Sequence, residues 1–228
     1  MKTGFGAFGK IPALGDFFQL NAPPGFVRVW DDWVQSAMVA GAEAGGTGWD
    51  AQYMSAPIWR FTLTAGLAGP AKVMGVFMPS VDRVGRRFPL ALMAAVEREG
   101  PAALDHLDQT DTFEALEDLA LASLDDDMNR DRLAEGLQAF AAPEPRAFAP
   151  LHQRGRALVM TQSDPHSIAP ELAVGLLNTH PMALPSLWSA TLDGRSRVLI
   201  CDGLPGAHEA PALFDLTAPL WADARPEQ

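Results

Sequence analysis

Between Gly25 and about Glu43 the apolar residues Phe26, Val29, Trp30, Trp33, Val34, Ala37 and Met38 recur at spacings of three and four, which predicts an amphipathic helix with a heavy aromatic face. On either side the period shortens to two. GFGAFGKIP (4–12) reads as a short strand and a loop, with Phe5 and Phe8 on opposite faces and Pro12 pushing Ile11 out of helical geometry. IWRFTLTAG (58–66), KVMGVFMPS (72–80) and the more uniformly apolar FPLALMAAV (88–96) read as three consecutive strands. Their short, Gly- and Pro-marked links predict antiparallel pairing in the middle of a sheet.

From Thr110 to Gly136 the pattern is helical again, with Phe113, Leu116, Leu119, Ala120 and Leu124 on one face and acids opposite, and a second short helix runs to about Phe140. Then come a strand RALVMTQ (156–162), a helix from about Pro170 to Asn178, strands SLWSATLD (186–193) and SRVLICD (196–202), and a last helix around 207–214. Gly194 and Arg195 read as the hairpin turn between the last two strands. AAPEPRAFAP (141–150) is Pro-rich, but ten residues make a short linker. Each half alone would be a thin sheet with an open edge, so one α/β domain over 1–228 is expected: a three-layer α-β-α sandwich around a mixed, partly antiparallel central sheet. No internal repeat is found.

Composition is ordinary for a folded chain, 48 % hydrophobic and 20 % charged, which argues against disorder. The net charge of -11 is unevenly spread. Residues 1–96 hold eight Lys/Arg against six Asp/Glu; the remainder holds nine against twenty-two. A mildly basic front and a strongly acidic back disfavour nucleic acid and anionic membrane surfaces and fit a protein partner better. Cys201 is the only cysteine, so an intrachain disulfide and a thiolate metal cage are excluded. The start does not read as a signal peptide and no run reaches the length of a membrane span, so the expected compartment is the cytoplasm.

The motifs that would carry chemistry fail on context. Gly4, Gly6 and Gly9 satisfy GxGxxG, but no strand precedes Gly4, and Lys10, Ile11 and Pro12 cannot open the helix that would hold a pyrophosphate. These glycines read as positions of close packing or special backbone angle. Asp125, Asp127 and Asn129 occupy three positions of a calcium loop, yet Arg130 and Gly136 replace its essential Gly and Glu. No two of the five histidines stand at zinc-pair spacing, and no nucleophile elbow or phosphate-binding loop occurs. Cys201, in an apolar strand, reads as buried. No catalytic, cofactor-binding or metal-ligating residue is therefore assigned.

One polar cluster stands out in an apolar neighbourhood. In MPSVDRVGRRFPL (78–90), Ser80, Asp82, Arg83, Arg86 and Arg87 crowd a loop between two hydrophobic strands. The arginines suit a carboxylate, a phosphate or an acidic protein surface. The alternative is structural: Asp82 pairs with Arg86 and caps the turn, with Lys10 or Asp16 of the first loop joining them.

Four segments in this order, GFGAFGKIPALGDF (4–17), VRVWDDWVQSAM (27–38), APIWRFTL (56–63) and GVFMPSVDRVGRRFPL (75–90), resemble the signature of the TagF family of type VI secretion-associated proteins. The resemblance covers about the first 95 residues and weakens beyond residue 100. It implies a three-layer α/β protein of the cytoplasm that restrains assembly of the contractile apparatus post-translationally, without being an enzyme. The implied partner is a forkhead-associated-domain scaffold protein. Some relatives are fused to a phosphatase domain, for which this chain has neither the length nor the acid pattern.

With that resemblance, the candidate partner-binding residues are Lys10, Asp16, Trp59, Arg60, Ser80, Asp82, Arg83 and Arg86. The two loops supply the polar members, and Trp59 and Arg60 belong to types enriched in binding hot spots. Two other readings stand beside this one. The Arg-rich 80–87 loop and Lys10 form the anion pocket of a nucleotide- or small-molecule-binding enzyme, or the loops merely brace the core and the interaction surface lies on the acidic second half.

Overall fold

Seven strands form one sheet in the order β2-β1-β5-β4-β3-β8-β9, and every neighbouring pair is antiparallel. They are β1 (Gly6–Gly9), β2 (Phe18–Leu20), β3 (Trp59–Leu63), β4 (Lys72–Met78), β5 (Leu90–Val96), β8 (Pro185–Leu192) and β9 (Arg195–Asp202). A separate hairpin pairs β6 (His152–Arg154) with β7 (Ala157–Val159). The computed structural model describes residues 4–141, 143, 148–154, 156–161, 166 and 168–222. Parts of the chain start, of the Pro-rich 141–150 segment and of the predicted strand 156–162 lie outside the described residues.

The expected mixed sheet is corrected: it is antiparallel throughout. The tight links between β3, β4 and β5 reverse direction each time. After the long helical excursion that follows β5, the chain returns to lay β8 antiparallel on β3, matching Phe61 to Trp188. Strands from both halves thus complete one sheet, and β3 is not left as an open edge.

Strand alternation divides the core. Trp59, Phe61, Leu63, Val73, Phe77, Ala91, Met93 and Trp188 face α1 (Phe26–Gly45), which contributes Phe26, Trp30, Trp33, Val34 and Ala37, and α7 (Pro211–Phe214). The intervening positions Met74, Val76, Met78, Leu90, Leu92, Ala94 and Val96 face Phe113, Leu116 and Ala120 of α4 (Thr110–Ala122) and Leu133 and Leu137 of α5 (Arg130–Gln138). A smaller cluster joins α3 (Ala102–Asp108) and α6 (Ile168–Leu177) to Leu187. All seven residues of β4 are buried, as expected of a strand covered on both faces.

Local chemistry accounts for the departures from the predicted elements. α4 ends at Ala122, so Leu124, placed by its period on the inner face, is exposed. The turn between β8 and β9 is centred on Asp193 and Gly194, both at positive φ, rather than on Gly194 and Arg195; Leu192 pairs with Arg195. The final helix keeps only Pro211–Phe214, opening with its proline. β2, α2 (Trp49–Ser55) and α3 were not predicted; each has seven residues or fewer. In the acidic run, Asn129 caps α5 by accepting from the amides of Asp131 and Arg132, both at 3.0 Å.

Candidate functional site

At one end of the sheet the close of β1, the start of β2 and the turn from β4 to β5 converge, and the glycines of the first segment make this approach possible. A side-chain carbon on Gly6 would lie 2.4 Å from the carbonyl oxygens of Leu20 and Asn21; on Gly9, at φ 137°, it would lie 2.2 Å from that of Pro89. The GxGxxG pattern here serves backbone packing between strands.

The 80–88 turn is built around Asp82. Val81 bridges Arg87, Asp82 N–H donates to the Arg86 carbonyl at 3.0 Å, and Gly85 takes a φ of 82° that suits glycine. Asp82 Oδ1 accepts from the amides of Val84 (3.1 Å) and Arg86 (2.9 Å), while Oδ2 accepts from Arg86 Nε (2.7 Å) and from Lys10 Nζ (3.0 Å). Burial alone would raise the Asp82 carboxyl, but the Arg86 amide, the Lys10 ammonium, the Arg86 guanidinium and the Val84 amide together hold it well below the usual carboxylate range. Lys10 is itself buried and lies over the Phe17 ring, 4.6 Å from its centroid.

The arginines clamp the first loop. Arg83 Nη2 donates to the Ala13 carbonyl and Arg86 Nη2 to that of Gly15, both at 2.8 Å, and the Arg83 amide donates to the Leu14 carbonyl. Arg87 reaches Asp50 of α2 at 2.7 Å. From the same helix Tyr53 Oη donates to the Ser80 carbonyl (2.8 Å) and accepts from the Ser80 amide (3.1 Å). Burial pushes the Tyr53 phenol well above its usual range, so it stays protonated as the donor this pairing needs. Ser80 is buried, and its hydroxyl has no partner among the described residues.

The eight candidates are therefore divided. Lys10, Ser80 and Asp82 are buried and position the loop, while Asp16, Arg83 and Arg86 are on the surface. Asp16 does not join Asp82 and instead accepts from the Phe17 amide at 2.8 Å. Trp59 is corrected from surface to core: it is fully buried, donates from Nε1 to the Leu213 carbonyl at 2.7 Å and stacks on Trp221. Arg60, its neighbour on β3, points to the other face. There it makes a bidentate pair with Glu117 of α4 at 2.7 and 2.8 Å, which raises its already high pKa, and lies over Phe113. It braces α4 to the sheet.

Two exposed apolar side chains complete the surface. Val84, at the turn apex, is 73 % exposed, and Phe17, 48 % exposed, packs edge-on against Phe88. Both carried a sequence signal: Phe17 and Phe18 are adjacent, so only one can enter the core, and Val84 is an apolar residue within a polar turn. Arg83 has no carboxylate within ion-pair distance among the described residues. The result is a rigid, cationic and apolar knuckle. Its buried carboxylate is already saturated with donors, and among the described residues no group of three or more His, Cys, Asp or Glu is gathered to hold a metal ion.

Comparison with known proteins bears on this surface. A family model described as the TagF N-terminal domain, type VI secretion system-associated, matches residues 6–140, which include both loops. The crystal structure of PA0076 from Pseudomonas aeruginosa PAO1, at 2.05 Å resolution, superposes with a TM-score of 0.74 and 28 % identity, over 94 % of this chain and 95 % of that one. No curated protein sequence gives a significant match.

Proposed function

This chain belongs to the TagF family associated with the type VI secretion system, and from that premise we propose that it is a cytoplasmic, non-enzymatic regulator that represses assembly of the apparatus by binding a forkhead-associated-domain scaffold protein. The observation that carries the site is the knuckle of Arg83, Val84, Arg86 and Phe17, fixed from beneath by Lys10, Asp82 and Tyr53. A loop held by so many hydrogen bonds loses little further freedom on docking, and an exposed apolar apex beside a guanidinium that has no carboxylate partner among the described residues suits an acidic protein surface. Helices packed on both sets of sheet residues support reading the fold as a three-layer α-β-α sandwich.

The arrangement favours this over an anion-binding enzyme. Arg86 is already committed to Asp82 and Gly15, and Arg83 gives one bond to Ala13, so both guanidinia are tied to the first loop while the two residues stay exposed on the surface. Co-purification tests the proposal: the wild-type chain is expected to retain the scaffold protein, and supplying extra copies of the chain is expected to lower secretion by the apparatus. A scaffold that never co-purifies, with secretion unchanged, would remove it.

A further inference from the structure

The two edges of the sheet are finished differently. β2, at one end of the strand order, is three residues long, and its Gln19 carbonyl already accepts from Arg130 Nη2 at 3.1 Å. β9, at the other end, is eight residues long and among the described residues pairs with β8 alone. Proteins usually shorten, cover or twist away an edge, because its free N–H and C=O groups accept another strand.

The hairpin register identifies the free groups. Leu192 and Arg195 close the two-residue turn and bond to each other, and alternation then turns the backbone groups of Arg197, Leu199 and Cys201 toward β8. Those of Ser196, Val198 and Ile200 point outward, and no loop, helix or turn among the described residues bonds to them. Each offers a donor and an acceptor at strand spacing.

Side chains set the character of the strand that fits. Arg195, Arg197 and Leu199 lie on the face of Trp188, where the Arg197 guanidinium sits over the Trp221 ring and donates to the Leu216 carbonyl at 3.3 Å. Neither arginine has a carboxylate within ion-pair distance among the described residues. The opposite face carries Val198, 57 % exposed, and Ile200, which packs toward Leu187. An incoming strand therefore meets two guanidinia on one face and aliphatic side chains on the other. A second copy of β9 does not match. In a two-fold pair, outward-bonding residues face only outward-bonding ones, so no register sets an acid of β9 opposite Arg195 or Arg197; its one acid, Asp202, belongs to the other face.

We propose that β9 is a docking edge for an extended segment of a partner protein that alternates acidic with apolar residues. The segment adds antiparallel, as every other neighbour in this sheet does, with acids opposite Arg195 and Arg197 and an apolar side chain opposite Val198. The overall charge of -11 is screened beyond about 8 Å, whereas the two guanidinia act at contact range. β9 lies across the sheet from β1 and β2, so this edge is separate from the scaffold-binding surface at the 80–88 turn.

The probe is a capped peptide of alternating Glu and Val, as long as β9, titrated into the isotope-labelled full chain and followed by NMR. Saturable shifts and slowed hydrogen exchange are expected at the Ser196, Val198 and Ile200 amides, with the 80–88 turn unmoved. The peptide N-methylated on its valines keeps its side chains but loses the donors that face β9, and a peptide with Lys in place of Glu reverses the charge; both are expected to lose binding. Arg195→Glu, at an exposed position, is expected to weaken the Glu and Val peptide by about tenfold with an unchanged melting temperature. No scaffold protein takes part, so this outcome is separate from that of co-purification. An edge left unperturbed at peptide concentrations up to about 1 mM overturns the proposal. So does binding that survives N-methylation or charge reversal, and so do edge amides already protected in a dimer, which would make a second copy the occupant.

Discussion

Lys10 Nζ lies 3.0 Å from Asp82 Oδ2 in the buried base of the 80–88 turn, joining the end of β1 to the link between β4 and β5. The pair does two things at once. It closes the end of the sheet, and it holds the turn in the one conformation that presents Val84 and Arg83 outward.

Replacing Asp82 by Ala removes the acceptor for Lys10, Arg86 Nε and two amides and leaves Lys10, 4 % exposed, without a counter-charge. The expected result is a melting temperature lower by roughly 5–15 °C. Lys10→Met, which leaves Asp82 its three bonds from Val84 and Arg86, is expected to cost less. Because the folded carboxyl titrates below its ordinary 3.8, its stabilisation is complete above that value and is lost as pH falls below it. Thermal melts of both variants between pH 7 and pH 3 check the order and the sign.

Trp59→Ala separates core from surface. It empties a fully buried site and leaves the Leu213 carbonyl without its donor, so it is expected to destabilise the fold by about 3–5 kcal/mol in urea titrations. Under conditions where the variant remains folded, scaffold affinity is expected to be unchanged.

His106 gives the fold a second acid sensitivity. Its Nδ1 lies 2.9 Å from Thr62 Oγ1 and its Nε2 2.7 Å from Ser189 Oγ, between α3 and the sheet. Burial, helped by the Arg60 charge, lowers its pKa from 6.5 to about 4. The unfolded chain then takes up a proton on this histidine that the folded chain does not, so stability falls with pH between those values, by up to about 1.4 kcal/mol per pH unit. His106→Gln is expected to flatten this part of the profile, measured by urea unfolding from pH 7.5 to pH 4.5.

Alternation along the chain made β1, β3, β4, β5, β8 and β9 legible, because one-sided and two-sided burial leave different periods. Strand order was not, since the return of β8 to the edge of β3 depends on contacts more than a hundred residues apart. The candidate surface shows the same divide. Asp82 and Arg86 sit four residues apart, so a shared turn can be read directly, with Lys10 or Asp16 as its third member; the fold selects Lys10 and shows that Ala13 and Gly15 occupy the guanidinia. Trp59 and Arg60 are adjacent on one strand and point to opposite faces, so both cannot belong to one binding surface. Val84 alone carries little signal, since single exposed apolar residues are common, and its apex position gains meaning only beside Phe17 and Arg83.

The most direct test measures the affinity of the purified forkhead-associated-domain scaffold for wild-type chain and for Arg83→Glu and Val84→Asp, both at exposed positions of the turn. The expected result is that each substitution weakens binding at least tenfold, as loss of a hot-spot contact does, with the melting temperature unchanged for Val84→Asp and slightly lowered for Arg83→Glu, which gives up the bond to the Ala13 carbonyl. Full affinity in both folded variants would contradict it and move the partner surface away from the 80–88 turn.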